Sequence, residues 1–139
     1  MSSIFTRIIN GEIPDRIVWR DAACVAMLDM RPLNRGHILV IPIDEVDRWT
    51  DLSTDTASHC MAVAHSIGRA QQELFNPLRV GLMIAGFEVP HTHLHVVPID
   101  AMDHLNFANA NPYPDSDDLD QVAELLRQAL RRAGHKAVT

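Results

Sequence analysis

The run Glu88-Val89-Pro90-His91-Thr92-His93-Leu94-His95-Val96-Val97-Pro98 carries three histidines at alternate positions among apolar residues. In an extended strand successive side chains point to opposite faces, so His91, His93 and His95 share one face. Thr92, Leu94 and Val96 take the other, where they can pack on a core. A helix would scatter the three rings around its circumference. Val89, Val96 and Val97 also favour a strand, over 89–97, and Pro90 and Pro98 suit its ends. Three purposes are open to such a row. The rings can be buried structural groups, each ring nitrogen then needing a partner. They can bind a metal, since neutral imidazole suits zinc, copper or nickel. Or they can handle phosphate, one ring attacking phosphorus while its neighbours hydrogen-bond the oxygens.

Working outward, the chain offers four more strands. Arg16 to Arg20 and Cys24 to Asp29 read as a hairpin turning at Asp21-Ala22, with Asp29 at the end of the second strand. His37 to Pro42 contains the unbroken run Ile38-Leu39-Val40-Ile41, which suits a strand buried on both faces. Leu78 to Ile84 is the fourth. Gly86, in the connection to the histidine strand, allows a turn or a close backbone approach. His37 reads as a structural hydrogen-bonding residue, and His59 and His65 as rim residues.

Three helices are expected. Ser2 or Ser3 caps a short one containing Phe5, Ile8 and Ile9, ended by Asn10-Gly11. Ser53 caps a long one over 54–75, with apolar residues at helical spacing up to Asn76-Pro77. Ser116 caps the last, whose first-turn Asp117 and Asp118 favour its positive end. Strands that follow one another without alternating helices point to α+β with an antiparallel sheet.

At 139 residues the chain suits a single domain over 1–139, with a core over 4–99 and a C-terminal loop and helix over 100–139. A net charge of −6 argues against a nucleic-acid polymer as partner. The longest apolar run, residues 80–87, is far short of the ~20 residues needed to cross a bilayer, so no membrane partner is expected. Cys24 and Cys60 form no close pair in sequence and read as small core residues in a reducing setting. With no secretory signal at the N-terminus, the expected location is the cytoplasm.

With His91-Thr92-His93-Leu94-His95-Val96-Val97-Pro98 in view, the chain resembles the histidine triad (HIT) family of nucleotide hydrolases and transferases. The other landmarks are Ile4-Phe5 with Ile8-Ile9-Asn10-Gly11-Glu12-Ile13-Pro14, Leu28-Asp29-Met30-Arg31-Pro32, Gly36-His37-Ile38-Leu39-Val40-Ile41-Pro42, and Ala85-Gly86. The resemblance implies a five-stranded antiparallel sheet with two main helices, assembled as a homodimer and needing no cofactor or metal. It implies His93 as the nucleophile on the α-phosphorus of a nucleoside phosphoramidate or dinucleoside polyphosphate. A nucleotidyl-histidine would form, and water would release the nucleoside monophosphate. His91 and His95 would orient His93 and hydrogen-bond the phosphate. Asp29 would take the ribose hydroxyls, with Phe5, Ile8, Ile13 and Met30 around a purine and Gly86 and Phe87 bordering the substrate.

The chain departs from the family pattern in several places. Phe87 stands where a glutamine is frequent, and Glu45 where a histidine follows the third strand's proline. The asparagine usual on the fourth strand is absent among Val80, Gly81 and Leu82, and Ile99 replaces an arginine. Ser3 and Thr6 replace a zinc-binding Cys-x-x-Cys found in some bacterial members. The covalent core is thus present while leaving-group contacts differ. A nucleotide-binding protein with little turnover, or a metal-binding module, are the alternatives from other classes.

Overall fold

Strand residues of this chain are apolar on both faces wherever helices cover one side of the sheet and a short N-terminal helix covers the other. In the computed structural model, which describes residues 2–139, five strands form one antiparallel sheet in the order β1-β2-β3-β5-β4. They are β1 (Ile17–Arg20), β2 (Cys24–Leu28), β3 (Ile38–Pro42), β4 (Arg79–Met83) and β5 (Leu94–Ile99). The helices are α1 (Ile4–Ile9), α2 (Thr54–Phe75) and α3 (Ser116–Arg132). The α+β class and the antiparallel sheet are as the sequence led us to expect.

Alternation along the strands sorts the core. Cys24, Ala26, Leu28, Ile38, Val40, Leu94 and Val96 face α2 and α3, meeting Val63, Ile67, Leu126 and Leu130. Val25, Met27, Leu39 and Ile41 face the other way, against Phe5, Ile8 and Ile9 of α1. Each helix starts on a side chain that satisfies an orphan backbone N–H: Ser3 for α1, Ser53 for α2 and Asp115 for α3. The last cap is Asp115 and not Ser116, which is the first helical residue. Asn76 in the left-handed conformation (φ 48°) ends α2.

The histidine stretch differs from the expected strand in extent. Strand β5 begins at Leu94, so His91 and His93 lie in the irregular approach to it. Tertiary bonds hold that approach: Thr92 donates from N and Oγ1 to the Val46 carbonyl, at 2.7 and 2.8 Å. Pro98 lies inside β5 and does not close it. Strand β3 pairs with β5 only as far as Val96, so at Pro98 the sheet continues on one side alone, where a missing N–H is tolerated. The two cysteines, apart in sequence, are brought together in the core as free thiols.

Both sheet edges are distinct. The C-terminal residues cover β1, with Arg20 N donating to Ala137 O at 2.8 Å and Trp19 bridging Val138. The outer side of β4 has no neighbouring strand among the described residues. No helix in them is long and apolar enough to cross a membrane.

Candidate active site

On the α1 face of the sheet, beside α1, lies a cavity of about 630 Å³. Register explains why the histidines reach it. Leu39 pairs with Met27 on one side and His95 on the other, so these three share the face that α1 covers. His93 follows two residues earlier, its ring centroid 5.0 Å from that of His95 and 4.9 Å from that of Phe5. Phe5, Ile8, Met27, Met30 and Leu39 supply an apolar wall, while Asp29, His93 and His95 stand together across it.

The hydrogen-bond pattern dictates where each imidazole proton sits. The His93 Nδ1 lies 2.7 Å from the His91 carbonyl, which can only accept, so Nδ1 carries the proton and Nε2 presents a lone pair. His37 receives a 3.0 Å bond at Nδ1 from the Leu33 N–H, which can only donate; its own proton is therefore on Nε2. That Nε2 lies 3.0 Å from His95 Nδ1, closer than its 3.5 Å to Asp29 Oδ2, so His95 accepts at Nδ1. His95 Nε2 must then bear hydrogen; it is buried with no protein partner. A nucleophilic nitrogen and an unspent N–H donor thus stand side by side on one cavity.

The rings of His37 and His95 are held neutral. Burial, with the neighbouring His95 and His93 charges adding to it, pushes the His37 pKa down to about 3. Burial and His93 push His95 down to about 4. Burial raises the Asp29 carboxyl, although the Arg31 N–H bonded to it at 2.8 Å works the other way.

His91 is placed differently from its two companions. It does not line the cavity: Nε2 donates to the Pro42 carbonyl at 2.7 Å and Nδ1 accepts from Ser3 Oγ at 2.7 Å. It acts on His93 through its backbone carbonyl, and the expected bond from its ring to phosphate has no free nitrogen to make it. Ile13 packs on the α1 cluster away from the cavity. Gly86 adopts φ +92°, which favours glycine, and its neighbours Ala85 and Phe87 border the cavity while it does not. Phe87 is 97% exposed. Glu45 points away, accepting from Ser3 N at 2.6 Å and Thr6 Oγ1 at 2.8 Å, so it presents no charge to the site.

Sequence reasoning missed four contributors. His37 is the donor behind His95; Glu88 places Oε2 3.9 Å from His93 Nε2. Phe107, from the C-terminal loop, meets His95 edge-on at 5.1 Å, and Asp15 joins the wall. Metal ligation is poorly served here. The ligand atoms of Glu88, His93 and His95 lie within 4.8 Å of one another. Yet His95 Nε2 could offer a lone pair only if His37 moved its proton to Nδ1, against the Leu33 N–H.

A segment, 10–102, that holds Asp29, His37 and all three triad histidines matches the family model of the HIT domain. The chain belongs to the HIT family. The similarity extends past that segment to an uncharacterized HIT-like protein of Mycobacterium tuberculosis, 32% identical over 135 residues and covering 94% of each chain. An adenosine 5′-monophosphoramidase of Schizosaccharomyces pombe is 32% identical over 99 residues, 70% of this chain and 74% of that one. Among solved HIT structures, a zinc-bound histidine triad family protein of Mycobacterium smegmatis superposes with a TM-score of 0.81 at 33% identity, over 96% of both chains.

Proposed function

We propose that this protein is a nucleotide hydrolase that attacks the α-phosphate of a nucleoside phosphoramidate or dinucleoside polyphosphate with His93. The observation that carries the proposal is the pairing of the His93 Nε2 lone pair with the unpartnered His95 Nε2–H on one cavity. The similarity to an adenosine 5′-monophosphoramidase supports the substrate class.

The steps follow from the atoms present. His93 Nε2 displaces the leaving group and forms a nitrogen–phosphorus bond. Its Nδ1–H stays on the His91 carbonyl, which stabilises the ring as it becomes cationic. The His95 Nε2–H donates to a phosphoryl oxygen, where negative charge builds up. Water then attacks phosphorus and expels His93, releasing the nucleoside monophosphate. Phe5, Ile8 and Met30 hold the base, a purine on grounds of size, and Asp29 accepts from the ribose hydroxyls. We further propose a homodimer, joined through the uncovered β4 edge beside the exposed Leu82 and Met61. Light scattering on the purified chain tests that assembly.

The chemistry is tested by mixing enzyme with adenosine 5′-phosphoramidate, quenching in base and mapping the nucleotidylated peptide by mass spectrometry. The modification is expected on His93, and His93→Ala abolishes both label and turnover. Full activity in His93→Ala defeats the proposal. Tight monophosphate binding with no label and no turnover would instead mark a binding protein.

A further inference from the structure

Away from the histidine cavity, where the turn between β1 and β2 meets α2, a second group of metal-ligating side chains converges. Asp21 lies in that turn, Cys24 opens β2 and His59 stands in the second turn of α2. Their ligand atoms all lie within 4.8 Å of one another. Main chain fixes the carboxylate: Asp21 Oδ1 accepts from the N–H groups of Ala23 and Cys24, both at 2.8 Å. The other oxygen is oversubscribed. Trp19 Nε1 lies 2.9 Å from Oδ2, His59 Nε2 2.7 Å and Cys24 Sγ 3.8 Å. Two of these donors, the imidazole and the thiol, carry protons that a cation can replace. Cys24 is fully buried, but the Asp21 and His59 side chains are 20% and 41% exposed, which gives an ion a way in from solvent.

We propose that Asp21, Cys24 and His59 form a zinc site, separate from the histidine cavity and independent of its chemistry. Carboxylate oxygen, thiolate sulfur and imidazole nitrogen are all zinc donors, at about 2.0–2.3 Å, and a tetrahedron of such bonds sets them about 3.3–3.6 Å apart. The thiol already stands close to that spacing from Oδ2. The imidazole has to draw back by about 0.6 Å, a small rotation for a half-exposed ring. Charge balances as well: one carboxylate and one thiolate neutralise the dication, with His59 neutral. On binding, Cys24 gives its thiol proton to solvent. The His59 proton leaves Nε2 for Nδ1, which has no bond among the described residues, and the Nε2 lone pair turns to the metal. The Trp19 N–H stays on the carboxylate and orients it. Cys60, buried against Cys24, donates its S–H to the new thiolate. Water takes the fourth position, on the exposed side.

The test uses the full chain, reduced and stripped with a chelator, and zinc alone as the probe in equilibrium dialysis. One zinc per chain is expected, bound more tightly as pH rises because a thiol proton is released. Cobalt(II) in its place should give the visible bands of a tetrahedral ion and a thiolate charge-transfer band. His59→Ala changes a half-exposed side chain and leaves the core intact; it should weaken zinc binding by about 10-fold or more. Zinc should raise the Tm of wild type and leave that of His59→Ala unmoved. Cys24→Ser, if it folds, should lose the thiolate band. His93→Ala, which removes a ring from the other cavity, should bind zinc as wild type does. Absence of stoichiometric binding, or a cobalt spectrum without the thiolate band, overturns the site. So does binding that survives in His59→Ala and vanishes in His93→Ala, which would place the ion on the triad.

Discussion

The relay from the Leu33 N–H through His37 to His95 makes His37 a positioning residue, and His37→Phe is the substitution that isolates it. Phenylalanine keeps a flat ring of similar size in a site that is 1% exposed, so packing is largely retained. Two polar groups lose their partners: the Leu33 N–H and His95 Nδ1, each now bonded at 3.0 Å. Burying an unpaired donor costs about 1–3 kcal/mol. The variant should therefore lose about 2 kcal/mol, which for a chain of this size is a fall in Tm of roughly 6–10 °C. It still folds.

The catalytic effect is distinct. Without His37 nothing holds the His95 proton on Nε2, and the ring is free to turn its bare nitrogen toward the phosphate. Complete loss of one oxyanion donor costs about 10²–10³ in kcat. Partial loss through tautomer freedom should cost about 10–100-fold, with KM nearly unchanged because the base and ribose contacts are untouched. Long-range ¹H–¹⁵N correlation spectra read the tautomers directly, and wild type should show His95 protonated at Nε2 near neutral pH. If His95 carries its proton on Nδ1, or if folded His37→Phe keeps kcat within about 2-fold, the relay has no role.

Ser3→Ala removes the α1 cap and the donor to buried His91, at 3.0 and 2.7 Å, and should cost about 2–4 kcal/mol in urea denaturation. Ser3→Thr, which keeps the hydroxyl, should recover most of it. Asp29→Ala should weaken nucleoside monophosphate binding about 10-fold by calorimetry and leave a 2′,3′-dideoxy analogue unaffected, as expected for a ribose acceptor. For pH, burial pushes His37 down to about 3 and His95 down to about 4 in the folded chain, below the ordinary 6.5 of an exposed histidine. The unfolded chain therefore binds more protons below pH 6.5, and stability falls as pH drops, by about 1.4 kcal/mol per unit for each ring. Between pH 6.5 and 5 the two together remove about 3 kcal/mol. The raised carboxyls of Asp15 and Asp29 act in the opposite sense just above their ordinary 3.8, so denaturation is best compared at pH 7 and 5. Equal stability at those two values would contradict neutral, buried rings.

What could be read from the chain was what local chemistry determines. Helix α2 runs from Thr54 to Phe75 as expected, because Ser53 and Asn76-Pro77 are unambiguous stops. The doubly buried β3 followed from four consecutive apolar residues. Misjudged features depended on partners distant in sequence. The histidine strand looked longer than it is because alternation alone cannot reveal that His91 and Thr92 are tied to Pro42 and Val46. His37 looked merely structural because nothing near it in sequence places His95 58 residues away across a strand pair. That Glu45 turns away from the site was equally hidden, because its Ser3 and Thr6 partners lie about 40 positions upstream.

The same distinction bears on how the site maintains its polarity. Three imidazoles in a row, each free to choose a tautomer, could expose any mixture of donors and lone pairs to a ligand. Here each choice is dictated by a backbone group that has no choice: the Pro42 carbonyl for His91, the His91 carbonyl for His93, and the Leu33 N–H, through His37, for His95. Because main-chain groups neither titrate nor tautomerise, one nitrogen is left with a free lone pair and its neighbour as a donor across the whole range in which the rings stay neutral. Reversing either role requires moving a strand end or replacing a ring, and no single proton transfer within the triad can do it.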